Sequence, residues 1–309
     1  NNVATADLQS GQVGTIANID TFTLNSGGSV TLEGSFLNGT STTFNEGGSD
    51  STATVNIEVS STTNIDLSML NEGTNFDSTG NDTINVNGDG GNQDITLGGE
   101  AATITAGAGD DTIDVGGGST GDGSTDTVVI DFGSDGVDTI TDSFQFGLAG
   151  TDDALQLTLT QDIDAIGETT DADNDVSEGI NGGSVMNAQI EVVAADTAAS
   201  VGTEVAVITA AGDQAQVDPT ADAATIEAAI VAELSDGGTD FLMNTDNAAS
   251  SSEEGALVFI QNDGTGSDAF FAAEVVDAND NSVTDAGEVN LVGIFHGADA
   301  SNVDANNFV

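Results

Sequence analysis

Four copies of Asp-Thr-(Ile/Val) stand between residues 82 and 140: Asp82-Thr83-Ile84, Asp111-Thr112-Ile113, Asp126-Thr127-Val128 and Asp138-Thr139-Ile140. A glycine lies two residues before the Asp in three of them, as Gly80, Gly109 and Gly136, and Ser124 takes that place in the fourth. The fullest copy is Ala106-Gly107-Ala108-Gly109-Asp110-Asp111-Thr112-Ile113-Asp114. Glycines let a turn bring backbone carbonyls together, the carboxylate adds charge, and the aliphatic residue turns into a core. Hard oxygen donors in a flexible arrangement suit calcium (Ca2+), which takes about six to eight oxygen ligands. The residues that would line such turns are Gly80, Asn81 and Asp82; Gly107, Gly109, Asp110 and Asp111; Asp126; and Asp135, Gly136 and Asp138.

A second acidic loop, residues 277–288, places Asp277, Asn279, Asn281, Asp285 and Glu288 at positions 1, 3, 5, 9 and 12 of an EF-hand loop. Ser282 stands where that loop needs glycine, and the flanks read as strands. Two readings stay open there, a β-flanked calcium loop and an acidic surface turn. Residues 168–179, with Asp171, Asp173 and Asp175, read as a solvated loop. Enzyme signals are poor. Gly117-Gly118-Ser119-Thr120-Gly121 has the G-x-S-x-G spacing but lies in a glycine-rich turn, not between a strand and a helix. With His296 as the single histidine, a zinc-protease H-E-x-x-H site is impossible. The expectation is a protein without catalytic activity.

The charge balance gives the calcium reading its force. The chain has no Lys or Arg against 53 Asp plus Glu, a formal net charge of −53. No carboxylate can be neutralised by a Lys or Arg side chain, and self-repulsion opposes compaction. Positive charge must come from outside, and a divalent cation supplies it. Nucleic acid and anionic membrane surfaces are excluded as direct partners, because both require a basic footprint. No segment approaches the roughly 18 continuous apolar residues of a membrane-spanning helix. Without cysteine there are no disulfides.

The elements that must position these turns are mostly strands. Residues 1–77 form a β-rich region in which Ala53, Val55, Ile57 and Val59 alternate with Thr54, Asn56 and Glu58, a strand with one buried face. Residues 15–24 and 29–37 read as two further strands separated by a Ser-Gly-Gly turn. A sandwich and an irregular β-helix both fit this region. Residues 78–142 carry the repeats; Ile95, Ile104 and Ile113 stand nine apart, the half-turn of a parallel β-roll. Residues 143–309 form a third, β-rich region with one helix near 219–235. Asp218 is expected to cap that helix, with Pro219 in its first position and Gly237 or Gly238 at its end. Ile226, Ile230 and Leu234 form its core face. The fold class is therefore mainly all-β: a degenerate parallel β-roll or β-helix segment, β-sandwich-like regions and one helix.

The segment Ala106–Asp114 resembles the haemolysin-type, or RTX, calcium-binding repeat G-G-x-G-x-D-x-U-x, with only the first glycine replaced, by Ala106. Residues 78–84 and 133–140 resemble its second half, and 121–128 is a looser copy. The Asp residues are separated by 29, 15 and 12 positions instead of nines, so the resemblance implies a few ions and not a regular ladder. Residues 138–159 resemble that family's exit from the roll, and the Asn307-Phe308-Val309 end resembles the tails of proteins exported by type I secretion. Asn1 with no leader before it points to processing or to a fragment of a longer chain. The resemblance implies a secreted, extracellular protein at the cell surface.

The expected function is a calcium-stabilised structural subunit of a surface layer, filament or adhesive matrix. Its partners would be copies of itself bridged by calcium, with cell-surface polysaccharide a further candidate and no insertion into a membrane. The alternative is the calcium-folding and export module of a larger secreted toxin or hydrolase. A monomeric extracellular binder is a third option.

Overall fold

A computed structural model describes residues 2–8, 20–47, 52–59, 64–78, 82–116, 124–131, 136–141, 153–158, 190–193, 205–209, 214–235, 254–264, 266, 268–277 and 284–297. The chain divides into two compact units, one of residues 1–130 with 134–155, the other of residues 131–133 with 156–309.

The first unit contains strands β1 (Asn2–Leu8), β2 (Thr21–Glu33), β3 (Thr42–Gly47), β4 (Thr54–Glu58), β5 (Asn64–Asp66), β6 (Leu70–Glu72), β7 (Thr83–Asn87), β8 (Asp94–Thr96), β9 (Thr103–Thr105), β10 (Thr112–Asp114), β11 (Thr127–Asp131) and β12 (Asp138–Ile140), with β13 (Ala154–Thr158) at its boundary. From β4 to β12, strands other than β6 alternate between two parallel sheets. One sheet runs β11-β9-β7-β4-β2-β3-β6 and the other β12-β10-β8-β5. This is the coil of a β-roll-like repeat. Ile95 pairs in register with Ile113 in one sheet, while Ile104 pairs with Val86 in the other. Nine residues thus carry the chain from one sheet to the other, as the isoleucine spacing predicts.

The inward columns explain why the coil closes. Leu32, Ile57, Val86, Ile104 and Val128 stand side by side across one sheet, and Ile65, Ile95, Ile113 and Ile140 across the other. All are buried, and each such side chain contributes about 1.5–3 kcal/mol relative to exposure. Towards the β3 end, Phe22 stacks on Phe44 at 5.7 Å and Phe44 meets Phe76 at 5.9 Å. Outward residues form side-chain ladders: Thr83 to Thr54 at 3.2 Å, Asn85 to Asn56 at 2.9 Å, and Asn87 to Glu58 at 3.1 Å. On the second sheet Asn64 donates to Asp94 at 3.1 Å. There the acidic residues are staggered, Asp94 between Asn64 and Thr112, Thr96 between Asp66 and Asp114. Like charges directly opposite are destabilising, and a chain without Lys or Arg cannot offset them locally.

One expectation for the N-terminal region changes, and one open choice narrows. Residues 21–33 form one strand, not two: β2 continues through Ser26-Gly27-Gly28, with Gly27 at φ +68° absorbing the irregularity. Its first half pairs with β3 and its second with β4, both parallel. Of the two open readings, the described part of this region follows the coil and not a sandwich, because β4 pairs in parallel with β7 of the repeat segment.

The second unit holds β14 (Ile190–Val193), β15 (Val205–Ile208), β16 (Glu254–Gln261), β17 (Ala269–Asp277) and β18 (Val289–His296). The first three are parallel; β16, β17 and β18 are antiparallel neighbours. Helix α1 (Ala223–Leu234), the only α-helix among the described residues, joins β15 to β16 and buries Ile226, Ile230 and Leu234, the face its spacing predicts. Its start differs from expectation. Asp218 caps its own turn through Thr220 N at 2.9 Å, and Ala221 N closes that turn on Asp218 O. The helix begins four residues later, where Asp222 accepts from Thr225 N at 2.9 Å. It ends on Ser235; Gly237 and Gly238 lie outside the described residues.

Candidate functional site

Asp110 and Asp111 stand side by side just before β10 and do two different jobs. Asp111 is buried; Asp110 is exposed. The buried role belongs to every Asp of the four Asp-Thr-(Ile/Val) copies. Asp82 accepts the main-chain N–H of Ala53 at 2.6 Å, Asp111 that of Gln93 at 2.6 Å, Asp126 that of Ala102 at 2.9 Å, and Asp138 that of Asp111 at 3.1 Å. Asp153, outside the predicted set, does the same for Asp126 at 3.0 Å. Each is no more than 3% exposed. A buried N–H at the entrance to a strand needs an acceptor, and a carboxylate from a later rung supplies it. These residues are rung-to-rung caps, a role that their spacing of 29, 15 and 12 conceals.

The exposed role gathers at one corner of the coil. Asp89-Gly90-Gly91-Asn92 between β7 and β8, Gly107-Ala108-Gly109-Asp110 between β9 and β10, and Gly136-Val137 before β12 form three stacked turns. Glycine is required for the stacking. Gly107 has φ +94°, and a Cβ there would lie 2.2 Å from the carbonyl oxygen of Asp89. Gly136 has φ +92°, and its Cβ would lie 2.4 Å from the oxygen of Gly109. Side chains tie the turns: Asn92 Oδ1 accepts Asp110 N at 3.3 Å, and Asp110 Oδ1 accepts Val137 N at 3.1 Å. Asp89 Oδ1 accepts Gly91 N at 3.0 Å within the first turn. The corner therefore presents main-chain carbonyls packed against glycines and the exposed carboxylates of Asp89 and Asp110. All are hard oxygen donors, the set that suits Ca2+ over softer metals. Among the described residues no three His, Cys, Asp or Glu side chains converge to hold a metal by themselves, so a cation here would depend on the carbonyls.

Of the predicted ligands, Gly107, Gly109, Asp110 and Gly136 meet in this corner. Asp82, Asp111, Asp126 and Asp138 belong to the caps. Gly80, Asn81, Asp135, Asn279 and Asn281 lie outside the described residues. Asp277 ends β17. Asp285 and Glu288 close a small turn on each other, with Asp285 N donating to Glu288 Oε2 at 2.7 Å and Glu288 N to Asp285 O at 3.1 Å. Asp89 and Asn92 were not among the predicted ligands; their Asp-Gly-Gly-Asn run, 18 residues before Gly107–Asp110, is the signal that marks them.

Gly117–Gly121 also lie outside the described residues, and His296 ends β18. Compared with known family models, curated proteins and solved structures, the chain matches none of the three.

Proposed function

We propose that this chain is an extracellular structural protein of RTX-like type, stabilised by calcium and assembling with copies of itself into a surface layer, filament or adhesive matrix. The observation that carries the reading is the stack of glycine turns at 89–92, 107–110 and 136–137, whose carbonyls and outward carboxylates offer oxygen ligands at one corner of a parallel coil. The charge of −53 with no Lys or Arg supports it: a cation at that corner offsets repulsion that the chain cannot offset itself. Extracellular calcium is abundant enough to fill weak sites.

The test compares the full chain in millimolar calcium and in excess chelator by far-ultraviolet circular dichroism and sedimentation velocity. Chelation is expected to reduce β-structure and to dissolve assemblies, and restored calcium to reverse both. Identical spectra and sedimentation in the two conditions would sink the proposal.

A further inference from the structure

β5 ends its sheet in the first unit, with β8 as its strand partner there. Its other edge is closed by the Asn38–Gly39 turn. Asn38, in the exposed turn after Gly34–Phe36, donates from Nδ2 to Asn64 O at 3.0 Å and accepts from Asp66 N at Oδ1, 2.9 Å away. Gly39 N donates to Asp66 O at 2.7 Å. The amide group thus imitates a neighbouring strand, pairing with the O and N–H that β5 presents on that side. Unpaired strand edges invite unwanted pairing, and this clasp covers one.

The residue that makes the clasp is followed by glycine, and that pairing has a chemistry of its own. We propose that Asn38 is a deamidation site gated by the clasp, and that its conversion makes opening of the β5 edge permanent. In the reaction the deprotonated main-chain nitrogen of Gly39 attacks Cγ of Asn38. A Cγ–N bond forms, the Cγ–Nδ2 bond breaks, and ammonia leaves. Water then opens the resulting succinimide on either side, giving aspartate or isoaspartate; the net change is NH2 replaced by OH, with no oxidant or reductant. Gly39 has no side chain to obstruct the attack, and nothing lies within 4 Å of where a Cβ would be. While the clasp is shut, however, the attacking N–H is committed to Asp66 O and both amide atoms are held. Ring closure therefore waits for local opening.

The product cannot close the clasp again. An aspartate at 38 sets an anionic oxygen against Asn64 O in place of a donor. It also brings a second negative charge beside Asp66, whose carboxyl is held below the usual range by the hydroxyl of Ser68 and then by its main-chain N–H. Isoaspartate adds a methylene to the main chain and displaces Gly39 from Asp66 O. Asn87-Gly88 is the internal control. It lies at the end of the interior strand β7, Gly88 N donates to Thr105 O at 2.7 Å, and a Cβ on Gly88 would sit 1.7 Å from Ala106 O.

The test ages the full chain at mildly alkaline pH, folded and in urea, and maps aspartate and isoaspartate by Glu-C digestion and mass spectrometry. Asn38 is expected to convert ~10-fold or more slowly when folded, as for reactions that need local opening, and Asn87 to remain intact until unfolding. Hydrogen exchange supplies the second arm. Asn38→Asp should speed exchange at the amides of Gly39 and Asp66 while leaving the β7 and β10 amides unchanged. Equal conversion rates folded and unfolded would remove the gate, and unchanged exchange at Gly39 and Asp66 in N38D would remove the latch.

Discussion

The main-chain N–H of Asp126 donates to the carboxylate of Asp153 at 3.0 Å, while Asp126's own carboxylate accepts the N–H of Ala102 at 2.9 Å. One residue is both capped and cap, so three rungs of the coil are joined through it. The same relay runs on the other sheet, from Asp138 through Asp111 to Gln93. Linked hydrogen bonds polarise one another in a low-dielectric interior, and the coil gains a second spine beside its apolar columns.

Removing a cap should be costly. Asp126→Ala leaves the buried Ala102 N–H without its carboxylate and is expected to lower stability by about 1–3 kcal/mol. Asp126→Asn keeps an oxygen of the same shape and should lose less. Urea unfolding of both variants measures the difference; equal losses would show that charge, not the acceptor, is what the position needs.

The stacked turns predict a sharp contrast between glycines. Gly107→Ala adds a Cβ 2.2 Å from Asp89 O at a residue with φ +94°. The backbone conformation alone costs on the order of 1–3 kcal/mol, before the clash. Gly90→Ala, in the turn beneath, meets nothing within 4 Å and has an ordinary φ; its melting temperature should stay near that of the parent.

If the turn corner binds calcium, its exposed carboxylates and not the buried ones should set the affinity. Asp110→Asn is expected to raise the calcium midpoint several-fold with little change in the metal-free protein. Asp114→Asn, on the outward face of β10, should leave the midpoint unchanged. Isothermal titration with calcium separates the two.

The second unit should respond to acid in two opposite ways. Burial raises Glu274 above its usual 4.5, with a hydrogen bond to Asn290 opposing the shift. Among the described residues its Oε1 is buried without a hydrogen-bond partner. A raised folded-state value means that this residue's contribution is fully present below the ordinary glutamate range and lost as pH rises through the folded value. Glu274→Gln should remove that decline from a melting-temperature profile. Asp222 behaves in the other sense. Its carboxyl is lowered by the Thr225 main-chain N–H and then by the Thr225 hydroxyl, so its helix cap is intact above the usual 3.8 and lost as pH falls through the lower folded value. Asp222→Ala should flatten the acid limb of helix loss followed by circular dichroism.

The short-range periods of this fold are legible in the sequence. Ile95, Ile104 and Ile113 announce the half-turn, Ala53–Val59 announces a strand, and Ile226, Ile230 and Leu234 announce the buried helix face, because each pattern repeats within a few residues. Partners further along the chain leave no such trace. Asp82 reaches back 29 residues to Ala53, and Asn38 reaches forward 26 to Asn64. The helix start moved because two Asp-rich turns follow one another, and the local geometry of Asp218 with Thr220 consumes the first. The doubled role of Asp110-Asp111 shows in their burial, Asp111 inside and Asp110 outside, whereas motif spacing alone gives both residues to the metal.

Every rung-to-rung cap of the coil has a direction. Ala53 is closed by Asp82, Gln93 by Asp111, Ala102 by Asp126, Asp111 by Asp138 and Asp126 by Asp153, always by a residue later in the chain. A chain released from its N-terminal end carries an open rung at every stage until the next has emerged. A chain released from its C-terminal end has each acceptor in place before the donor it serves. The order of emergence thus becomes a folding variable, and the two orders lead to coils that close as they appear or only behind a lag of one turn.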